Sequence, residues 1–244
     1  MPKPTYDIII PHCGMAERLV VLCRRCLETI RMYSKGLQYR VLFVDNGSPL
    51  YSDLEPDLDK FEPEHLKLIR NTHNVGFVRA VNQGLALSTA PFVVIMNNDT
   101  EAASDWLPRL REPLEIEGVG LSGPRTNTKG SWQGRYRYRK PGDIWVLPDT
   151  EDSMLAFFCV MIRREVINKV GLLDERFGIG FADDSDYCRR AKKAGFHLAL
   201  QPRLVIPHWH RSTFHTMFGK TETIKMQHAA LGKFREKWNR ESQS

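Results

Sequence analysis

Two clusters of polar residues have the types and spacing that acid–base or ligand-binding chemistry needs. Asp183-Asp184-Ser185-Asp186 stands at the predicted start of a helix, where one carboxylate could remove a proton from a substrate as a general base. Carboxylates also favour and cap helix N-termini, and we predict that structural role for Asp186. Asn97-Asn98-Asp99 follows a predicted buried strand, where it could bind a ligand or only form a turn. The elements around the two clusters decide whether they meet.

Residues 1–100 alternate β-rich runs with longer amphipathic runs, a pattern that predicts βαβ units and a mainly parallel sheet. Strands are predicted at residues 6–11, 39–44, 66–70 and 92–96, and helices at residues 15–33 and 77–88. Polar loops follow three of the strands, at Pro11, Asp45 and Asn97. Because the carboxyl ends of parallel strands lie at one edge of a sheet, we expect these three loops to lie together.

The rest of the chain has a less regular pattern. Helices are predicted at residues 105–117, 164–170, 187–194 and 222–238, and a buried strand at residues 154–162. Residues 124–141 contain six Arg or Lys and no acidic residue, and we predict a loop or hairpin there. Trp132, Arg135 and Arg137 in this stretch suit an acceptor site, through sugar stacking, phosphate pairing or contact with a nucleic-acid strand. A solvated loop would have the same composition.

Composition limits the choice of partner and compartment. The net charge of +6 suits an anionic partner such as a nucleotide diphosphate, an anionic glycan, a membrane surface or nucleic acid, without choosing among them. Five cysteines are an odd number in a chain with a large core, so no disulfide framework is expected. The longest apolar run, residues 154–162, is about half of what a membrane span needs, and no secretory signal is apparent. We therefore expect a cytoplasmic protein, with peripheral contact at the inner face of the membrane left open.

Several short motifs occur in a fixed order between Asp7 and Thr213. They are Ile8-Ile9-Ile10-Pro11, Val44-Asp45-Asn46-Gly47-Ser48, Asn74-Val75-Gly76-Phe77, Asn82-Gln83-Gly84, Asn97-Asn98-Asp99, the run Val170-Gly171-Leu172-Leu173-Asp174-Glu175-Arg176-Phe177, Asp183-Asp184-Ser185-Asp186, and His208. In order and spacing they resemble the family 2 glycosyltransferases of the GT-A fold, in particular the rhamnosyltransferase-like branch.

The resemblance implies an α/β fold of the GT-A type, a single Rossmann-like nucleotide-binding domain with a mainly parallel central sheet flanked by helices. The domain would cover residues 1–215, with a nucleotide-sugar donor half at residues 1–100 and an acceptor half at residues 101–215. Residues 216–244 would form a C-terminal amphipathic helix that packs on the domain or contacts a partner or a membrane surface.

The resemblance also implies an activity, in which a sugar moves with inversion from a UDP- or dTDP-linked donor, rhamnose among the possible sugars, to an acceptor hydroxyl. That hydroxyl would belong to a glycan, a lipid-linked glycan or another acceptor, as in polysaccharide biosynthesis. Asp184 would be the general base, kept ionised with an ordinary pKa by the helix macrodipole, and Asp183 would stand where the family more often has Glu.

The donor and metal residues are also implied by the resemblance. Asp99 and His208, with His210 less favoured, would bind a divalent cation, Mn²⁺ or Mg²⁺, together with the donor phosphates. The donor itself would contact Pro11, Asp45, Asn74, Arg79, Asn82, Asn97 and Asn98.

Other functions stay open at the level of sequence. The acceptor could be modified nucleic acid, or the chain could be a non-enzymatic basic module that binds glycans or nucleic acid, with binding that weakens steeply as salt rises. A sugar nucleotidyltransferase would have a glycine-rich, Lys-containing loop after the first strand, and His12-Cys13-Gly14 is not such a loop.

Overall fold

The computed structural model describes residues 3–128, 131–135, 143–209 and 212–241. Within these residues one eight-stranded sheet has the order β3-β2-β1-β4-β7-β5-β8-β6. The strands are β1 Tyr6–His12, β2 Tyr39–Asn46, β3 Leu66–Asn71, β4 Phe92–Met96, β5 Val119–Thr126, β6 Trp145–Val146, β7 Cys159–Arg163 and β8 His197–Ile206. Arg137 and His210, which were predicted as site residues, lie outside the described residues.

Helices cover both faces of the sheet. They are α1 Glu17–Tyr33, α2 Glu55–Leu58, α3 Phe77–Leu87, α4 Trp106–Arg111, α5 Trp132–Arg135, α6 Arg164–Val170, α7 Asp183–Lys193 and α8 Ser212–Glu241, with short 3₁₀ turns at Tyr51–Asp53, Glu112–Glu115 and Glu175–Phe177. Among the described residues, no helix combines the length and the apolar character needed to cross a membrane.

The first four strands form the parallel half of the sheet, as predicted. β1 pairs in parallel with β2 and β4, and β2 with β3. Side chains of β1 alternate between two apolar cores, because Ile8 and Ile10 pack in the core that contains α1 while Ile9 packs in the core that contains α3. With β5 and β8 also parallel, four of the seven pairings described are parallel. The predicted α/β single-domain fold is confirmed.

The other half of the sheet departs from the predictions. β5 and β8 were missed, and the strand expected at residues 154–162 begins only at Cys159. β5 contains two glycines and a proline, which disfavour strands by propensity. Packing requires Gly120 in particular, since a Cβ there would lie 2.6 Å from Cγ2 of Val166. The stretch expected as a loop at residues 124–141 instead begins with the end of β5 and includes the short helix α5.

The last helix starts earlier than predicted and is broken. α8 begins at Ser212 and changes direction at Gly219, where φ is +73°. Its far end packs on α7, because the buried Trp238 donates from Nε1 to Asp186 Oδ1 over 3.1 Å. The predicted boundary at residue 215 therefore falls inside a helix whose far end is packed on the domain.

Candidate active site

A cavity of about 710 Å³ opens at the carboxyl ends of β1, β2 and β4. It brings the loops after β1 and β4 together, as the topology of parallel strands required, and the start of α7 also lines it. The predicted site residues that line it are Pro11, Asn74, Asn97, Asn98, Asp99, Trp132, Asp183, Asp184 and His208. The residues predicted for donor binding and the residue predicted as base therefore line one cavity, although they are distant in sequence.

The loop after β4 is held by backbone bonds on both sides. Asn97 N donates to Phe158 O over 2.8 Å, and Trp209 N donates to Asp99 O over 2.9 Å. Thr100 forms an isolated antiparallel bridge with His208. These bonds bring the segment that follows β8 against the Asn97-Asn98-Asp99 loop, which is how His208 reaches the site.

Asp99, His208 and Asn97 converge on one point of the cavity. Nε2 of His208 lies 3.3 Å from Asp99 Oδ1 and 3.4 Å from Asn97 Nδ2, and the imidazole is stacked on the Phe158 ring at 5.0 Å. Oδ1 of Asn97 is buried and has no hydrogen-bond partner among the described residues.

This donor set fits a hard divalent cation that takes its remaining ligands from elsewhere. Carboxylate, amide oxygen and imidazole are all suitable ligands, and such cations often keep substrate phosphates and water in their shell. In the part of the chain that the structure describes, no three His, Cys, Asp or Glu side chains cluster as a metal site. The protein part of the site would thus be two strong ligands, Asp99 and His208, plus the amide oxygen of Asn97.

Asn98 is fixed by a histidine that the sequence analysis did not select. Its Nδ2 donates to Nδ1 of His12 over 2.6 Å, and both side chains are buried. Burial lowers the pKa of His12 to about 4, against the opposing effect of the Asp45 charge. The imidazole is therefore neutral at physiological pH and can accept the bond. In the sequence, the position of His12 directly after Pro11, at the end of a strand, could have indicated that it lies at the site.

Asp45 lies below the cavity surface and is not among the residues that line it. Its carboxylate is fully buried, and accepts from Ser48 N over 3.1 Å and from Arg70 Nε over 3.2 Å. The neighbouring Asn46 lines the cavity instead and donates to Asn74 Oδ1 over 2.8 Å. Asp45 thus shapes the turn after β2 here, and its contact with a nucleoside stays a prediction.

Arg79 and Asn82 lie on α3 outside the cavity lining. The buried Asn82 side chain makes two bonds with the backbone of Leu173, at 3.0 and 2.9 Å. Arg79 is exposed and pairs with Glu175 at 2.9 Å. Both side chains attach α3 to the segment that leads to the acidic cluster, and their role in donor binding stays a prediction.

The two adjacent carboxylates at the start of α7 differ in exposure. Asp183 is 4% exposed, whereas Asp184 is partly exposed to the cavity and accepts from Ser185 N over 2.7 Å. Burial raises the pKa of both groups, and the charge of Asp184 raises that of Asp183 further, to about 8. Asp183 therefore favours its protonated form near neutral pH. The expectation of an ordinary pKa for Asp184 is wrong, because burial outweighs the helix macrodipole.

Asp186 is not a helix cap. The residue before α7 is Ala182, and no side chain caps the helix. Asp186 is fully buried and is bound by three side chains: Trp238 Nε1 at 3.1 Å, Lys237 Nζ at 2.6 Å and Arg190 Nε at 2.9 Å. The predicted capping role is wrong, and this carboxylate instead joins α7 to α8.

Among the predicted acceptor residues, Trp132 has a described side chain, and it lines the cavity. It stands edge-on to Trp145 with ring centroids 6.0 Å apart. Arg135 ends α5, and Arg137 lies outside the described residues. The sequence analysis missed a second group of lining residues, the apolar side chains Phe77, Phe181, Phe214, Met217 and Phe218. Phe214 and Phe218 are four residues apart, a helical spacing that could have indicated a shared face.

Comparison with known proteins identifies the family. Residues 7–171 match the sequence model described as Glycosyl transferase family 2. The chain belongs to glycosyl transferase family 2. The match ends before Asp183, Asp184 and His208, so the placement of those residues at the site rests on the geometry given above. A rhamnosyltransferase-like branch within family 2 stays a prediction.

Two curated relatives show how far the similarity of this family 2 chain extends. The pre-mycofactocin glycosyltransferase of Mycobacterium tuberculosis (strain ATCC 25618 / H37Rv) is 28% identical over 218 residues, which cover 84% of this chain and 43% of the relative. The dolichol-phosphate mannosyltransferase of Pyrococcus furiosus is 28% identical over 177 residues, covering 68% of this chain and 48% of the relative. The chain spans less than half the length of these relatives.

Solved structures place the fold among the GT-A glycosyltransferases. GalNAc-T7, determined with UDP, GalNAc and Mn²⁺, aligns with a TM-score of 0.67 at 15% identity over 84% of this chain and 43% of that one. The mannosyltransferase PcManGT from Pyrobaculum calidifontis, determined with GDP-Man and Mn²⁺, aligns with a TM-score of 0.63 at 17% identity over 88% of this chain and 60% of that one. At 15% and 17% identity these alignments show similarity of the fold alone.

Proposed function

We propose that this chain transfers a sugar from a nucleotide diphosphate sugar to an acceptor hydroxyl, with Asp184 as general base. The observation that carries the proposal is that the Asp184 carboxylate and the Asn97-Asn98-Asp99 and His208 group line one cavity of about 710 Å³. Cavities of roughly 300–1,000 Å³ are typical of small-molecule sites. Membership of family 2 and the nucleotide–Mn²⁺ complexes of the two fold relatives support the same chemistry.

In the proposed reaction the donor diphosphate lies against Asp99, His208 and Asn97. A divalent cation held there, Mn²⁺ or Mg²⁺, would neutralise the charge that develops on the departing diphosphate. Oδ1 of Asn97, which has no hydrogen-bond partner among the described residues, supports this placement, because a buried carbonyl oxygen without a hydrogen bond is costly unless a ligand satisfies it. Asn98, fixed by the neutral His12, would complete the polar wall on the donor side.

The acceptor oxygen attacks the anomeric carbon on the face opposite the diphosphate, so the configuration inverts. One carbon–oxygen bond forms, the carbon–oxygen bond to the phosphate breaks, and the acceptor proton passes to Asp184. Asp183 stays protonated beside it, since two adjacent buried carboxylates do not both ionise easily. The raised pKa of Asp184 makes it a better proton acceptor than an exposed aspartate, at the cost of needing a higher pH to be ionised.

A nucleotide screen and one variant test the proposal. UDP, dTDP and GDP are compared by thermal shift with and without Mn²⁺, because a ligand of the folded state raises the melting temperature by mass action. We expect UDP or dTDP to stabilise the protein most. The sugar donors of that nucleotide are then offered to glycan, lipid-linked and nucleic-acid acceptors.

Asp184→Asn should abolish transfer and leave nucleotide affinity within a few-fold of the wild type. Asp59→Asn, an exposed aspartate at the end of α2, is the matched control and should retain full transfer. Undiminished transfer by Asp184→Asn would contradict the assignment of the base. Nucleotide binding without transfer to any acceptor or to water would favour the non-enzymatic module.

A further inference from the structure

The side of the cavity next to the acidic cluster is built from aromatic side chains. Phe181 precedes α7, and Phe214 and Phe218 come from the first turns of α8. Their rings form a chain, with centroids 4.6 Å apart between Phe181 and Phe214 and 6.5 Å apart between Phe214 and Phe218. All three side chains are only partly buried and line the cavity. We call these three residues the aromatic wall.

The aromatic wall stands directly beside the carboxylates. A Cβ built at Gly180 would lie 3.2 Å from Cζ of Phe214 and 3.9 Å from Oδ1 of Asp183. The ring edge and the carboxylate therefore face the same small space, and Gly180, at φ +127°, leaves that space open. Asp184 follows Asp183 directly and lines the same cavity as the aromatic wall, so we expect a group attached to a hydroxyl at Asp184 to lie within reach of these rings.

The backbone that presents Phe181 is strained. Phe181 and Ala182 have φ of +66° and +62°, in the left-handed region that costs an ordinary residue roughly 1–2 kcal/mol. The loop is held there from α3, since Val78 N donates to Gly178 O over 3.1 Å. Strain of this kind is found preferentially at ligand sites. In this protein the strained turn places the Phe181 ring at the cavity, directly before the helix α7 that carries Asp184.

Next to the two carboxylates, the aromatic wall offers the cavity apolar contact. None of the described residues that line the cavity is Lys or Arg. Phenylalanine also differs from Tyr and Trp in having no polar group with which to bind a sugar hydroxyl. Phenylalanine rings can pack on apolar groups or on the C–H face of a sugar, but they supply none of the hydrogen bonds that orient a bare sugar.

We propose that the aromatic wall binds an apolar group of the acceptor, an aromatic ring or an alkyl chain attached close to the hydroxyl that receives the sugar. The proposal rests on the proposed function, because it takes the space beside Asp184 as the acceptor side. It assigns Phe181, Phe214 and Phe218 to acceptor specificity and gives them no part in donor binding.

The test compares acceptors that differ only in the apolar group. Methyl, phenyl and octyl β-glucosides, the last below its micelle concentration, are titrated into the UDP-loaded protein by calorimetry, and transfer from the matching UDP-sugar is measured in parallel. We expect the phenyl and octyl glucosides to bind about tenfold or more tightly than the methyl glucoside, the usual effect of burying a ring-sized apolar group. If dTDP is the preferred nucleotide, it replaces UDP throughout.

Variants of the aromatic wall sharpen the test. Phe214→Ala and Phe218→Ala should remove the preference for the apolar glucosides and leave UDP affinity unchanged, and Phe214→Leu should restore part of it. Ile224→Ala, at a partly exposed position further along the same helix, is the control and should keep the preference. Equal binding of the three glucosides by the wild type would overturn the proposal, as would alanine variants that keep the preference. Failure to bind any nucleotide would instead count against the proposed function.

Discussion

At the scale of single residues, Asp183 and Asp184 show how position changes the chemistry of identical side chains. Both residues line the cavity, but Asp183 is buried and Asp184 is partly exposed, and burial together with the charge of Asp184 raises the pKa of Asp183 to about 8. The sequence predicted the pair and the choice of Asp184 as base. It could not predict the pKa shifts, since these depend on packing by segments distant in the chain.

Asp183→Asn tests this difference through stability. Between about pH 4 and pH 8 the folded wild type keeps a proton that the unfolded chain has lost, so its free energy of unfolding falls as pH rises, by at most about 1.4 kcal/mol per pH unit. The variant has no such proton. Urea unfolding of both proteins near about pH 5 and about pH 8 should show a larger advantage for the variant at the higher pH. A difference that does not change with pH would mean that Asp183 is ionised in the fold.

At the scale of elements, the parallel strands were predictable and their partners were not. β1 and β4 carry continuous β-branched and apolar runs between clear helices, and their predicted bounds lie within one residue of those observed. β5 has Gly120, Gly123 and Pro124, whose local preference opposes a strand until pairing with β7 and β8 overrides it. The position of His12 at the end of β1 could have indicated its place at the site, whereas the aromatic wall reaches the cavity only through the packing of α8.

Lys237 on α8 pairs with two carboxylates, Asp186 on α7 and Asp174. Nζ of Lys237 lies 2.6 Å from Asp186 Oδ1 and 2.8 Å from Asp174 Oδ2, with 9% of the side chain exposed. Although burial acts to raise it, the pKa of Asp174 is held at about 2 by bonds from Lys237 and Arg176. Lys237→Met removes the lysine from both carboxylates but leaves Arg190 paired with Asp186 and Arg176 paired with Asp174. We expect a loss of roughly 1.5–3 kcal/mol in the free energy of unfolding, the usual size for hydrogen bonds to charged groups.

Lys233→Met is the matched control for this prediction. Lys233 lies one turn earlier on α8, is exposed, and donates only to a backbone oxygen, that of Arg176, at 2.9 Å. Its removal should change the free energy of unfolding by about 0.5 kcal/mol or less. Urea denaturation of the two variants measures both effects, and losses of similar size would show that the buried ion pairs contribute nothing specific.

At the scale of the whole molecule, the site is assembled from distant parts of the chain. β1 and β4 bring Pro11 and Asn97 to one edge, the segment after β8 brings His208, and α8 returns to line the opposite side. The first contribution follows from the βαβ pattern of the sequence. The other contributions depend on how the antiparallel strands and the last helix pack. An amphipathic pattern predicts that one face of a helix is buried, but it does not predict which element covers that face.

This assembly predicts how the cation and the nucleotide depend on one another. With only Asp99, His208 and the Asn97 oxygen on the protein side, Mn²⁺ should raise the melting temperature much more when UDP, or whichever nucleotide the screen selects, is present to supply phosphate ligands. Asp99→Asn keeps the size of the side chain and removes its charge, so it should lose the Mn²⁺-dependent increment and retain most of the stabilisation by nucleotide alone. Asp105→Asn, an exposed residue whose left-handed backbone tolerates Asn, should behave as the wild type. An equal Mn²⁺ increment in Asp99→Asn and the wild type would remove Asp99 from the cation site.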